Sequence, residues 1–218
     1  MSHGQISLAD TPPQPWRNGA GSSRELLAWP SAAAWQVRLS VADIATDAPF
    51  SAFSGVTRWF AVLQGAGVAL TIDGRLHVQR LADAPLRFDG GAATNCRLLD
   101  GATRDLNLML RQRTGGLLEA QPGQPWQPPG PVCGLFTRVA GLCQAGPAFN
   151  ATAATAATTA TTATTATATN TPLPALALLW FDRAPAHLTW QPALPPDPDR
   201  PTPPQAWWLW ASHQTPCT

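Results

Sequence analysis

Breakers decide what this chain can become. Gly and Pro together make up 40 of its 218 residues, well above the usual share of about 12%. Each Gly costs a helix interior about 1 kcal/mol and each Pro about 3 kcal/mol, so helix is expected to be scarce. What lies between the breakers is short and mostly alternating. Residues 35–41 set Trp35, Val37, Leu39 and Val41 against Gln36, Arg38 and Ser40, the period of a half-buried strand. Residues 58–63 open on Arg58 and continue all apolar, which fits a strand buried on both faces. Residues 68–73 end at Asp73-Gly74, a strong two-residue hairpin signal, and 75–81 supply the return strand. Residues 85–88 stop at Asp89-Gly90-Gly91. Residues 105–112 alternate again, with Leu106, Leu108 and Leu110 opposite Asp105, Asn107, Met109 and Arg111. Further strands are expected at 135–140, 175–180, 187–190 and 206–210, and the best helical candidate is a short turn at 41–46. Many short strands with turns every 8–12 residues predict an all-β sandwich or barrel.

Composition excludes several roles. The formal net charge is +1 and every basic residue is Arg. Without a basic run, binding to nucleic acid by phosphate neutralisation is not expected. No apolar stretch approaches the length of a membrane span. Residues 1–15 lack a basic start followed by an apolar core, so no secretory leader is expected and the cytoplasm is the expected compartment. Cys96, Cys133, Cys143 and Cys217 are widely spaced. They read as reduced thiols, buried like small apolar side chains, with a Cys133–Cys143 bridge as the second option. Residues 151–169 are only Ala and Thr, a low-complexity insertion expected in a surface loop. Residues 192–204 include seven Pro and read as an extended surface segment.

Candidate chemistry concentrates in the first half. The stretch Pro15-Trp16-Arg17-Asn18-Gly19-Ala20-Gly21 combines a flat apolar wall, a cation and an amide in a Gly-rich turn, although a plain turn feeding the first strand would use the same residues. Phe50 and Phe53 lie in a loop fenced by Pro49 and Gly55. Arg58 heads an apolar strand, and a buried guanidinium needs partners. It pairs with Asp43, Asp47 or Asp105, or it clamps a ligand carboxylate through its planar fork. If the polar faces of the two alternating strands point inward, Arg38, Ser40, Asn107 and Met109 line one pocket with Arg58. Trp16, Phe50, Phe53 and Phe88 would wall it, and Arg17 and Asn18 would sit at its mouth. His3, His77, His187 and His213 are isolated, so the paired imidazoles of a metal site are missing. No Ser lies in a nucleophile elbow. His77 beside Asp73 or Asp83 could form a base, but its hairpin position favours plain solvation.

These motifs resemble those of the HutD/Ves family, in order along residues 15 to about 113. Pro15 to Gly21 with Arg24-Glu25 resembles the family's opening Trp-Lys-Asn-Gly-Gly-Gly and Thr-Arg-Glu-Ile. Trp35, Arg38, Ser40 and Ala42 resemble its Trp-Arg-x-Ser-x-Ala strand. Pro49-Phe50-Ser51, Phe53, Gly55 and Arg58 are similar to its Pro-Phe-Ser-x-Phe-Pro-Gly-x-Asp-Arg signature. Leu63, Gly65 and Gly67, then Leu86, Phe88 and Gly90, follow, and Asp105-Leu-Asn-Leu-Met109 resembles its Asp-Leu-Asn-x-Met strand. The second half matches loosely. Arg17 stands for the usual Lys, Ala20 for the middle Gly, Thr57 for the Asp before Arg58, and Gly91 where an acidic residue is common.

The resemblance implies a bacterial double cupin, two RmlC-like jelly-roll β-barrels forming a bicupin. Residues 1–122 would form the N-terminal barrel carrying the motifs, and 123–218 a degenerate second half. It also implies a role near histidine utilisation, holding a small acidic intermediate and moderating its flux. The first expectation is therefore a metal-free, cofactor-free binding protein for a small carboxylate such as urocanate, formylglutamate or formate. The alternative is a metal-free isomerase or lyase in which Arg58 stabilises an enolate and His77 or Asp105 acts as base. A third is an interaction protein with a filled pocket. A homodimer is compatible with all three.

Overall fold

A computed structural model describes residues 3–146, 169–195 and 202–213. The Ala/Thr tract up to residue 168 and the middle of the Pro-rich segment lie outside the described residues. Every strand pairing is antiparallel, and the strands form four sheets. Sheet I runs in the order β2 (Gln14–Pro15), β3 (Gly21–Trp29), β4 (Val37–Ile44), β11 (Thr103–Arg111), β6 (Val56–Gln64) and β9 (Leu86–Asp89). Sheet II contains β5 (Ala48–Pro49), β10 (Thr94–Leu98), β7 (Val68–Ile72) and β8 (Arg75–Gln79). Sheet III contains β1 (His3–Ser7), β16 (Ala177–Phe181), β13 (Val132–Thr137), β18 (Ala206–His213) and β12 (Arg113–Glu119). Sheet IV contains β15 (Thr169–Leu173), β14 (Gly141–Ala145) and β17 (Leu188–Pro192). The N-terminal strand β1 thus completes the sheet built mainly from C-terminal residues.

Three apolar layers hold the sheets together. Val37, Leu39, Val41, Leu106, Leu108 and Leu110 project from one face of sheet I onto Leu117, Val132, Phe136, Leu178, Trp207 and Leu209 of sheet III. Full burial of each such side chain contributes about 1.5–3 kcal/mol, so this layer joins the two halves of the molecule. The opposite face of sheet I packs Ala42, Ile44, Phe60 and Val62 against Val68, Leu70, Ile72 and Cys96 of sheet II. Sheets III and IV enclose Leu135, Leu179, Trp208, Cys143, Leu188 and Trp190 in the same way. Sheet I is therefore covered on both faces, and β11 is buried from Asp105 through Leu110. Its alternation separates two interiors rather than core from water.

The architecture is all-β, but the strands form open sheets stacked in pairs; among the described residues no hydrogen-bonded ring closes into a barrel. The turn expected at 41–46 is instead the end of β4, and the described helix is one 3-10 turn, Leu8–Asp10, capped by Ser7. The alternating run Val37 to Ile44 has sheet partners on both sides, β3 and β11, which override any local turn preference. Trp35 also leaves the expected pattern. It precedes β4, off the pleat, and packs with Val56 and Met109 on the face opposite to Val37. Asp73 and Gly74 take positive φ values of 45° and 80° and close the β7–β8 hairpin as expected. Cys96, Cys133 and Cys143 are free and buried. Among the described residues no helix is long and apolar enough to cross a membrane.

Candidate functional site

The face of sheet I that looks toward sheet II carries the polar residues of the central strands. Register fixes their neighbours. Met109 of β11 lies between Arg38 of β4 and Arg58 of β6; Asn107 lies between Ser40 and Phe60; Asp105 lies between Ala42 and Val62. Phe88 of β9 stands opposite Arg58 on the other side, and Glu25 of β3 opposite Ser40. Paired residues share a face, so Arg38, Ser40, Arg58, Asn107 and Met109 form one side-chain cluster on the inner face of sheet I.

Arg58 is its centre and is only 5% exposed. Its guanidinium lies 4.9 Å from the ring centre of Phe50 and 5.2 Å from that of Phe88, close enough for both π faces to attract the cation. Its Nη2 donates to Asn107 Oδ1 at 2.7 Å. Its Nε is buried and has no acceptor. Burial lowers its pKa to about 10, which still leaves it charged at neutral pH. The carboxylates that could have neutralised it are engaged elsewhere. Asp43 holds Arg24 and Arg104, Asp47 Oδ1 accepts from the Leu98 N–H at 2.8 Å, and Asp105 Oδ2 accepts from the Thr103 hydroxyl at 2.7 Å. Among the described residues Arg58 has no carboxylate partner. The loop over it is fastened by Gly90: its N–H donates to Val56 O and its carbonyl accepts from the Phe53 N–H, each at 2.7 Å. A Cβ on Gly90 would come within 2.9 Å of the Val56 carbonyl oxygen and 3.1 Å of Arg58 Cγ, so a side chain there would push the loop off the strand it is bonded to.

The other cation is committed. Arg38 Nε lies 2.6 Å from Glu25 Oε2, an ion pair without hydrogen-bond alignment, and its guanidinium lies 5.9 Å from the Trp35 ring, whose centre is 4.3 Å from Arg111. Asp105 is fully buried, and its Oδ1 has no partner. Burial pushes its pKa up to about 7; the Thr103 hydroxyl works against that shift and Asp43 adds to it.

The expected site residues are thus distributed unevenly. Arg58, Asn107, Phe50 and Phe88 are in direct contact, and Ser40, Met109 and Arg38 lie beside them in register. Phe53 joins the Trp35–Met109–Val56 group. Trp16 braces the wall: its Nε1 donates to Ser23 Oγ at 2.8 Å and its ring meets Phe50 edge-on at 6.4 Å. Arg17 and Asn18 are exposed, and Asn18 Oδ1 accepts from the Ala20 N–H at 3.1 Å while Gly19 takes φ 70°. Asn18 therefore builds the turn. His77 lies on β8 opposite Leu70, on the face of sheet II that looks toward sheet I. Sequence reasoning missed Glu25, Trp35 and Arg111 as neighbours. The Glu25–Ser40 pairing follows from a register shift between Glu25 and Leu27, which no alternation pattern reveals.

The all-β architecture of stacked sheets is cupin-like, a fold that its more distant structural neighbours share. The chain belongs to the HutD family, whose model matches residues 8–122. It is 38% identical over 112 residues to an uncharacterized 21.2 kDa protein from the hutC 3′ region of Pseudomonas putida, covering 50% of this chain and 59% of that one. It is 36% identical over 100 residues to protein Ves of Citrobacter koseri, covering 44% and 52%. The matches thus span little more than half the length of these curated relatives. The fold matches HutD from Pseudomonas fluorescens with a TM-score of 0.75 at 21% identity, over 98% of this chain and 100% of that one. The metals held by catalytic cupins need imidazoles and carboxylates. This face of sheet I carries guanidinium, amide, hydroxyl, thioether and phenyl groups and two separate carboxylates, Glu25 and Asp105, but no imidazole, and among the described residues no three His, Cys, Asp or Glu side chains gather.

Proposed function

We propose that the N-terminal half is a binding module for a small carboxylate, with Arg58 as anion anchor and Asn107 as its positioning partner. The observation that carries this reading is the state of Arg58: buried, charged, flanked by two phenyl rings and without a carboxylate among the described residues. Leaving a buried cation unpaired costs several kcal/mol, and a bound carboxylate would recover part of it through charge-assisted hydrogen bonds. Phe50, Phe53 and Phe88 keep water away, and Ser40 and Met109 complete the lining. Arg38 is a secondary anchor because Glu25 already holds it.

We read the two halves as two cupin-like units, the second degenerate, and the protein as a cytoplasmic moderator of histidine utilisation rather than an enzyme. Two things support this: a relative lies in a hutC region, and the P. fluorescens HutD structure was obtained in a formate condition. Formate, urocanate and formylglutamate are the first ligands to try. A thermal-shift screen tests it: a ligand at 100 times its dissociation constant should stabilise the protein by about 2.7 kcal/mol. No shift with any of the three would remove the proposed ligand class.

A second reading, an isomerase or lyase for a small acidic metabolite, has one observation in its favour. Asp105 shares the same face of sheet I and is held near pKa 7 by burial, the range of a working base. Turnover lost in Asp105→Asn, with binding retained, would favour it.

A further inference from the structure

Sheet II ends on β8, an edge strand whose charges lie at its ends, Arg75 and the following Arg80. Its middle, Leu76 to Val78, carries no Arg or Pro, and its register with β7 is unbroken over all five positions. Natural edges carry such interruptions because a bare edge is a template for another strand. The outward residues of β8 are apolar: Leu76 is 65% and Val78 38% exposed. The apolar patch does not spread across the sheet, since the outward positions on β10, Asn95 and Arg97, are exposed and polar. An apolar strip confined to the edge favours a partner that joins edge-on.

We propose that β8 is a homodimer surface, on which a second copy of this chain adds its own β8 antiparallel about a two-fold axis at His77. The strand is complementary to its own reverse. Pairing centred on His77 sets Leu76 opposite Val78 of the second copy, twice, and cross-strand apolar pairs of this kind stabilise sheets. It sets Arg75 opposite Gln79 of the second copy, with no like charges opposed. Beyond the strand, Arg80 of one copy falls opposite Gly74 of the other, next to Asp73. The guanidinium groups of Arg75 and Arg80 have no carboxylate partner among the described residues. The surface is independent of the Arg58 cluster.

Sedimentation equilibrium and directed cross-linking test it. The intact chain should sediment at twice its 23.1 kDa mass, and Leu76→Lys or Val78→Lys should weaken the dimer at least about tenfold. Leu118→Lys, on the exposed face of β12, should leave it unchanged. His77→Cys should form a disulfide between copies under mild oxidation, since residues opposite one another across such a pair lie about 4.5–5.5 Å apart. Circular dichroism establishes that the variants fold. A monomeric intact chain at high micromolar concentration overturns the proposal. So does a dimer that both Lys variants leave intact, or one in which His77→Cys does not cross-link.

Discussion

Arg58 Nη2 and Asn107 Oδ1 meet at 2.7 Å between neighbouring strands β6 and β11. Asn107 stands opposite Phe60 rather than opposite Arg58, so the bond runs diagonally, two residue pairs along the sheet on the same face. An amide holds the cation in place without neutralising it, which leaves the remaining guanidinium N–H groups for another acceptor.

That relationship predicts opposite effects on stability and binding. Asn107→Asp would give Arg58 an internal carboxylate. Thermal melts should show a protein at least as stable as the parent, and calorimetry a loss of carboxylate affinity of at least about tenfold. Asn107→Ala should lose stability by about 1–3 kcal/mol, since it strands a buried charged donor. Equal affinities in parent and Asn107→Asp would count against an anion site at Arg58.

Asp105 sets a pH dependence. Its folded pKa, about 7, lies above the unfolded value near 3.9. Between those values the native state holds more protons than the unfolded state, so stability falls as pH rises. The penalty is absent below about pH 4 and complete above about pH 7. Asp105→Asn, which keeps the neutral shape, should remove this slope. Urea midpoints of parent and variant should diverge from pH 5 to pH 8, with the parent falling; parallel profiles would mean Asp105 is ionised without penalty.

Cys96, Cys133 and Cys143 should be chemically silent. Burial pushes each thiol up to about 12, and the thiolate is the reactive form. Peptide mapping after alkylation at pH 8 should find these three labelled only in denaturant. Labelling in the native protein at the rate of a free thiol would show that the layers around them open.

In the second half, Gly141 lies under Trp190, and a Cβ there would collide with the Trp190 ring and the Gln191 carbonyl. Because the carbonyl belongs to the paired strand β17, neither obstacle moves away easily. Gly141→Ala should cost about 1–3 kcal/mol as overpacking, read as a lower urea midpoint; a change under about 0.5 kcal/mol would mean the sheet IV pairing is loose.

The strands were legible where one period acted alone. Residues 105–111 alternate because Leu106, Leu108 and Leu110 serve one interior and Asp105, Asn107 and Met109 another, and the Asp73-Gly74 turn announced its hairpin. The end of β4 was not legible, because Val41 to Ile44 owe their extended form to partners on β3 and β11 that local preference does not encode. Trp35 misled for a related reason: its spacing matched the strand, but it sits before the first pleat. Within the site, Arg58 stood out because an arginine heading an apolar run has to be accounted for. Its pairing with Asn107 joins positions 49 residues apart and became visible only with the register. Glu25, which occupies Arg38, was hidden by the bulge in β3.

The central claim is that Arg58 grips a carboxylate through its fork. Calorimetry with formate or urocanate on the parent, Arg58→Lys and Arg58→Ala tests it most directly. Lys keeps the charge but not the planar pair of donors, so both variants should lose about 2–5 kcal/mol of binding while circular dichroism shows the fold intact. Affinity unchanged in folded Arg58→Ala would contradict the account and take Arg58 out of the site.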